Sequence, residues 1–248
     1  LTINQLNKLV AKFNTTKFID NDPISIPHQY QVKQDIEISG LVAALFAWGL
    51  RKTIINKSND FLGRMGGSPY EFILNFKPSD LKVFQSFRHR TFSGDDAISL
   101  LYFLQRWYQQ NSSLEEFFIN KKEDVVFHGL AEMSNYFQKL PSTLKRSHRH
   151  IASPERNSAC KRLNMFLRWM VRSNETGVDF GLWTQIKPAD LIIPLDVHVV
   201  RSALKLKLIE NDKANWKTAL ALTERLREFD PHDPVKYDFA LFNLSIEK

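Results

Sequence analysis

The chain has 248 residues, 43% of them hydrophobic and 25% charged, which is the composition of a globular protein built as one large domain or two small ones. No apolar run approaches the roughly 20 residues that cross a bilayer, and the opening LTINQLNKLVAKFN alternates polar and apolar residues too often for a signal-peptide core, so the membrane and secretory classes are disfavoured and a cytoplasmic location is expected. A single cysteine, Cys160, excludes an internal disulfide, a four-cysteine zinc site and an iron–sulfur cluster held by this chain alone, and no metal and no cofactor are expected.

Apolar residues recur at three- and four-residue spacing with few glycines between, which predicts an all-α protein. From Asp35 a buried helix should run through Trp48, turn near Gly49 and continue as a second helix from about Arg51. Ser68-Pro69 and Pro78-Ser79-Asp80 open two short helices, with Pro69 suited to a first helical position and Asp80 to a cap. Ser93-Gly94-Asp95-Asp96 starts a helix whose apolar face carries Ala97, Leu100, Leu101, Phe103, Leu104, Trp107 and Tyr108. Ser112 to Glu115 has the outline of a capping box one residue short, and a further helix over 123–137 ends at Pro141. Residues 141–158 are polar, basic and hold two prolines, so an exposed loop or a short, loosely packed helix is expected there. Helices over about 159–172, from Asp196, over about 212–229 and from Asp233-Pro234 complete the chain, with an irregular stretch around Gly177 and Gly181.

The net charge of +7 is concentrated. Between Lys139 and Arg172 lie nine basic residues against one acid, Glu155, whereas the remaining chain holds 25 bases and 26 acids. Such a segment is a candidate phosphate-binding face, although a solvated basic loop is the commoner origin of a charge run. In the helix CKRLNMFLRWMVR, at about 100° per residue, Arg168 and Arg172 fall about 20° to either side of Lys161. The rest of the circumference is mostly apolar, so this basic stripe should face a cleft or a partner. A lysine at the first turn, its stem packed and its amine near other cations, is placed to supply the neutral amine that a nucleophile requires; a snorkelling lysine with a solvated head is the plainer alternative.

The second constellation is IIPLDVHVVR, residues 192–201. An apolar approach, a proline and an aspartate before an amphipathic helix make Asp196 an N-cap. Capping alone would explain it, yet a carboxylate so held stays ionised and can stabilise a developing cation. His198, on the polar side with Arg201 and Lys205, is expected to be a solvated surface residue.

A lysine that opens a helix, followed by an apolar-Pro-x-Asp-x-x-Val motif that opens the next, resembles the active-site pair of the helix-hairpin-helix DNA glycosylase superfamily. The likeness extends to residues 35–74 and 234–244. Within the superfamily the chain is similar to a bacterial family with nearly the same CKRLNMFLRWMVR and DLIIPLDxHV runs, and next to the archaeal 8-oxoguanine glycosylases. The resemblance implies an all-α, two-lobed helical glycosylase-like fold with a central cleft for DNA, one lobe over 35–172 and the other over 1–34 plus 173–248. It implies base excision repair on double-stranded DNA containing a damaged base, by a monomer with AP-lyase activity. Lys161 would be the nucleophile, Asp196 its carboxylate partner, and an oxidised purine such as 8-oxoguanine the base. Arg156, Arg162, Arg168 and Arg172, with Arg51 and Lys52, would contact DNA. Leu50 would wedge into the gap left by the flipped base, and Phe180 or Trp183 would stack on that base or else plug the core.

The departures are informative too. The glycine-bearing hairpin of the superfamily is replaced by IASPERNSA, residues 151–159, in which Asn157 can take a left-handed conformation. Thirty-five residues separate Lys161 from Asp196. A second reading therefore stays open: a non-catalytic helical DNA-binding protein that keeps the fold.

Overall fold

A computed structural model describes residues 3–121 and 123–246. In chain order the α-helices are α1 (Ile3–Phe13), α2 (Lys33–Phe46), α3 (Arg51–Gly63), α4 (Pro69–Asn75) and α5 (Gly94–Tyr108). They continue as α6 (Val125–Lys139), α7 (Lys161–Val171), α8 (Val197–Lys205), α9 (Trp216–Arg227) and α10 (Asp238–Ile246), with short 3-10 turns between. A hairpin of two-residue strands, β1 (Arg88–His89) and β2 (Phe92–Ser93), pairs Arg88 with Ser93 and His89 with Phe92. The fold is all-α apart from this hairpin.

Two compact units emerge. Unit 1 comprises Leu1–Asp20, Asn120–His128 and Ser153–Lys248; unit 2 comprises Asn21–Ile119 and Gly129–Ala152. The expected division at residue 172 is therefore corrected. Residues 153–172 cluster with the C-terminal part of the chain because α7 is surrounded by residues that follow it: Phe180 and Trp183 donate their N–H groups to Trp169 O (2.8 Å) and Met170 O (3.0 Å). Residues 21–34 pass the other way, into unit 2.

In unit 2 the apolar run of α2 is buried on nearly every side, which is why it lacks the one-faced pattern of a surface helix. Its Glu37 is also buried, and its carboxylate accepts from Tyr108 Oη (2.7 Å), Ser113 Oγ (2.5 Å) and Leu114 N–H (3.0 Å), tying the turn after α5 to α2. Pro69 takes the first helical position of α4 as expected, and the orphan N–H of Tyr70 is met by Asp35 across the unit (2.7 Å). Ser93 and Asp96 form a reciprocal cap on α5.

Residues 145–150 are a 3-10 turn, and their expected loose packing is corrected. Asp96, fully buried, accepts from Ser147 Oγ (2.7 Å), Arg146 Nη2 (2.9 Å) and Ser93 Oγ (2.8 Å), while His150 Nε2 stands 3.6 Å away. Burial alone would raise the Asp96 pKa, but the neighbouring His150 and the hydrogen bonds from Ser147 and Ser93 hold it well below the usual carboxylate range. A buried carboxylate requires such donors, and the basic, serine-rich turn supplies them.

In unit 1, α10 packs along α8 and α1, closing the core around Phe239 and Tyr237. Among the described residues no helix is long and apolar enough to cross a membrane.

Candidate active site

The approach to α7 is built by two left-handed residues. Ser153 caps a single 3-10 turn, Pro154–Arg156, and Asn157 ends it at φ +53°, its N–H donating to Pro154 O (2.8 Å). Asparagine tolerates this region, and the conformation anticipated for it is present. Ser158 forms an isolated bridge to Asn215, and Trp216 N–H donates to Asn157 O (3.3 Å). Cys160 is then left-handed as well, at φ +47°, and α7 starts with Lys161 as its first residue. A β-carbon in this region costs about 1–2 kcal/mol. Asn164 holds the turn in place, donating Nδ2–H to Ala159 O (3.0 Å) and N–H to Cys160 O (2.8 Å). The helical elements directly before Lys161 are thus two 3-10 turns, over Lys145–His150 and Pro154–Arg156, in the segment that lacks the superfamily's hairpin glycines.

Asp196 is an N-cap, as its sequence context predicts. Its backbone is extended, and Oδ1 accepts the N–H groups of His198 and Val199, both at 2.9 Å. That leaves Oδ2, which lies 3.7 Å from Lys161 Nζ. The two side chains are 28% and 21% exposed, so the pair is neither sealed in the core nor fully solvated. Residues 35 positions apart meet because α7 and α8 both begin at this point of unit 1. Met165 Sδ is 4.0 Å from the amine, one helical turn on.

The remainder of the basic stripe has a different job. Arg168 and Arg172 are buried, 3% and 6% exposed, and each sits between two carboxylates. Arg168 pairs with Asp238 and stands 3.4 Å from Asp179; Arg172 pairs with Asp179 and binds Asp233 through Nε (3.0 Å) and Nη2 (2.9 Å). Both guanidinium groups also lie over the Phe239 ring, at 4.4 and 5.5 Å. Their assignment as DNA contacts is therefore corrected: they hold the 173–183 segment and the start of α10 to α7. Burial on its own would lower the Arg172 pKa, but Asp179 and Asp233 raise it, so the cation is secured. Asp233, expected to open the last helix, spends its carboxylate on Arg172 and makes no side-chain cap.

Asp238 is the residue that sequence reading missed. It opens α10, it is buried, and burial raises its pKa against the lowering pull of Arg168 and Lys161, with Asp196 adding to the rise. Its only sequence signal is an acid in the first turn of the closing helix. The other candidates separate. Arg156 is exposed at the turn before α7 and Arg162 is half-buried beside Lys161. Trp183 is 2% exposed with its ring edge-on to Phe166 (5.4 Å), so it plugs the core; Phe180 is half-buried. His198, expected to be solvated, is half-buried against Phe242 of α10 (5.9 Å). Leu50, Arg51 and Lys52 lie exposed in unit 2, with Leu50 77% exposed. A recess of about 540 Å³ in unit 1, walled by Phe127, His128, Asp190, Trp216, Glu224 and Arg227, includes neither Lys161 nor Asp196. Among the described residues no group of His, Cys, Asp and Glu is arranged to hold a metal ion.

A family described as protein of unknown function, DUF2400, matches residues 22–247. The chain belongs to the DUF2400 family. The match takes in α2 to α10, and so both Lys161 and Asp196 of this DUF2400 chain. No curated protein and no solved structure matches it.

Proposed function

We propose that the chain is a DNA N-glycosylase with associated AP-lyase activity, acting on a flipped damaged base, an oxidised purine such as 8-oxoguanine in the first instance. The observation that carries this reading is the divided carboxylate of Asp196: Oδ1 is consumed by the helix cap and Oδ2 faces the Lys161 amine at 3.7 Å. A fixed carboxylate beside an accessible amine suits a reaction that passes through a cationic sugar. The neutral amine attacks C1′, the bond from C1′ to the base breaks, and the proton lost by the amine ends on the departing base. The ring then opens as the bond from C1′ to O4′ breaks, O4′ takes a proton from solvent, and a protonated imine joins Lys161 to C1′. Loss of a C2′ proton expels the 3′ phosphate. Asp196 Oδ2 stabilises the positive charge at each cationic stage. Arg156, in the turn before α7, and Arg162, next to Lys161 in sequence, are the proposed phosphate contacts of this unit, Phe180 the proposed base contact, and Leu50, Arg51 and Lys52 the proposed contacts of unit 2.

Borohydride trapping on duplexes carrying 8-oxoguanine, uracil, an oxidised pyrimidine or an abasic site tests it. A covalent adduct is expected on one of these, and Lys161→Gln should abolish it. Asp196→Asn isolates the charge, because asparagine caps a helix as well as aspartate does, and should slow base release by about 10²-fold with the fold intact. Absence of both adduct and base release on every substrate overturns the reading. If such a protein still shifts DNA, a non-catalytic binding protein is what remains.

A further inference from the structure

The recess of unit 1 that excludes the Lys161–Asp196 pair is walled by three segments that the fold fixes to one another. On α9, Trp216, Leu220, Glu224 and Arg227 recur at four- and three-residue spacing and so share one helix face. Asn215 starts that helix as its cap, Oδ1 accepting the Thr218 N–H (3.0 Å). Arg227 Nη2 donates to Ala189 O (2.9 Å) and Ile193 N–H donates to Thr223 Oγ1 (3.0 Å), which binds the 188–193 segment to α9. The third wall is the entrance to α6. Asp124 is left-handed there at φ +47°, its carbonyl accepts the His128 N–H (3.0 Å), and the Phe127 ring stands edge-on to Trp216 at 5.8 Å. Two rings inclined at 66° make an aromatic corner, which Val126 and Ile192 extend as apolar wall. Leu220, on the same lining, is 37% exposed, so the recess opens to solvent.

The charge of this lining is opposite to that of the chain. Four carboxylates, Glu123, Asp124, Asp190 and Glu224, meet one guanidinium, Arg227, in a protein whose net charge is +7. That guanidinium is already committed, to Ala189 O and, through Nη1, to Glu224. Asp190 Oδ2 accepts the Lys187 N–H (3.0 Å), while Glu123 and Asp124 form no ion pair among the described residues. An anion entering the recess therefore meets no free cation, whereas a cation meets open carboxylates and two ring systems. The acids stand on three separate segments with apolar side chains between them, and among the described residues no group of His, Cys, Asp and Glu is arranged to hold a metal ion. The complementary cation is thus extended, with its charges separated by apolar length. We infer that the recess binds a free aliphatic polyamine, its ammonium groups on the carboxylates and against the Trp216 and Phe127 rings, its methylene chain along Val126, Ile192 and Leu220. The volume of about 540 Å³ falls within the roughly 300–1,000 Å³ of small-molecule sites. The inference is independent of Lys161 chemistry, because it uses none of the same side chains.

The test is isothermal titration calorimetry of spermidine into the full chain, with hexanediol, glutarate and a tri-lysine peptide as comparison ligands. Spermidine should bind saturably at a single site, and the uncharged diol and the dianion should not. Net positive charge repels free cations from the rest of the surface, so saturable uptake reports a local site. Glu123→Gln combined with Asp124→Asn, in which asparagine keeps the left-handed backbone, should weaken spermidine binding by at least about 10-fold. Leu220→Lys sets a cation into the recess from an exposed position and should weaken it by a similar factor, while Lys161→Gln should bind as the parent does. Absence of saturable binding at millimolar spermidine overturns the inference, as does parental affinity in the acid variant or in Leu220→Lys. Tighter binding of the peptide also overturns it, in favour of a protein partner, and displacement of spermidine by an equal concentration of magnesium chloride overturns it in favour of diffuse charge. If the acid variant melts below the parent, Leu220→Lys decides. Failure here leaves the borohydride trapping result untouched, so the two proposals fall separately.

Discussion

Asp179→Asn is the sharpest perturbation of unit 1. Asp179 is 1% exposed and lies between two buried cations, Arg168 at 3.4 Å and Arg172 in direct contact. The amide keeps the shape and removes the charge. Breaking a buried ion pair by removing one partner costs about 3–5 kcal/mol, because the remaining charge is stranded. Each guanidinium keeps one other carboxylate, Asp238 for Arg168 and Asp233 for Arg172, so the lower end, about 3 kcal/mol, is expected. For a chain of this length 1 kcal/mol moves Tm by about 2–4 °C, which gives a fall of about 6–12 °C by calorimetry or circular dichroism. Little change with added salt is expected, since the network is shielded from water. A Tm within about 2 °C of the parent would refute the argument. A parental Tm together with lost DNA affinity would return Arg168 and Arg172 to the surface role that their sequence stripe suggests.

Three further outcomes follow from the same contacts. Asp96 titrates far below its unfolded value of about 3.9, so its stabilising effect is fully present above about pH 4 and is lost as pH falls through the folded pKa; Asp96→Asn should cost about 1–3 kcal/mol at pH 7, read by urea unfolding, and the gap to the parent should close in acid. The Cys160 thiol is pushed up to about 12 by burial, against the opposing pull of Ser158, Arg156 and Arg162, so the folded protein should resist a thiol reagent at pH 8 and react only on unfolding; complete labelling within minutes would contradict this. At Gly129 a β-carbon would stand 2.1 Å from the Phe118 ring, so Gly129→Ala should cost about 1–3 kcal/mol in Tm measurements, and Phe118→Leu in the same chain should recover part of the loss.

What the sequence made legible was local. Pro69 at the first turn of α4, the Ser93 cap on α5, the left-handed Asn157 and the Asp196 cap all depend on residues within a few positions, and local spacing reveals them. The acids that neutralise α7 could not be seen this way. Arg168 meets Asp238 70 residues later, and Arg172 meets Asp233 61 residues later. A helical-wheel stripe records which side chains share a face but not what covers that face. The same blindness hid Asp96 from the 145–150 turn, 51 residues before Ser147, and made a firmly anchored segment read as a loose loop.

The basic segment also shows how a local charge count is spent. Arg146, Lys161, Arg168 and Arg172 belong to the run between Lys139 and Arg172, and each is answered by a carboxylate from outside it. The two most buried of them build the core of unit 1. Their burial is what brings Lys161 to the surface edge of α7: the helix is fixed by its Arg168–Asp238 and Arg172–Asp233 ties toward the C-terminal end, so its first residue is carried to the point where α8 begins. The cations that failed as a binding face therefore position the amine. Asp238 pairs with Arg168 and also feels the charges of Lys161 and Asp196, so substitutions at Arg168 should alter the electrostatic surroundings of the candidate pair as well as the stability of the fold.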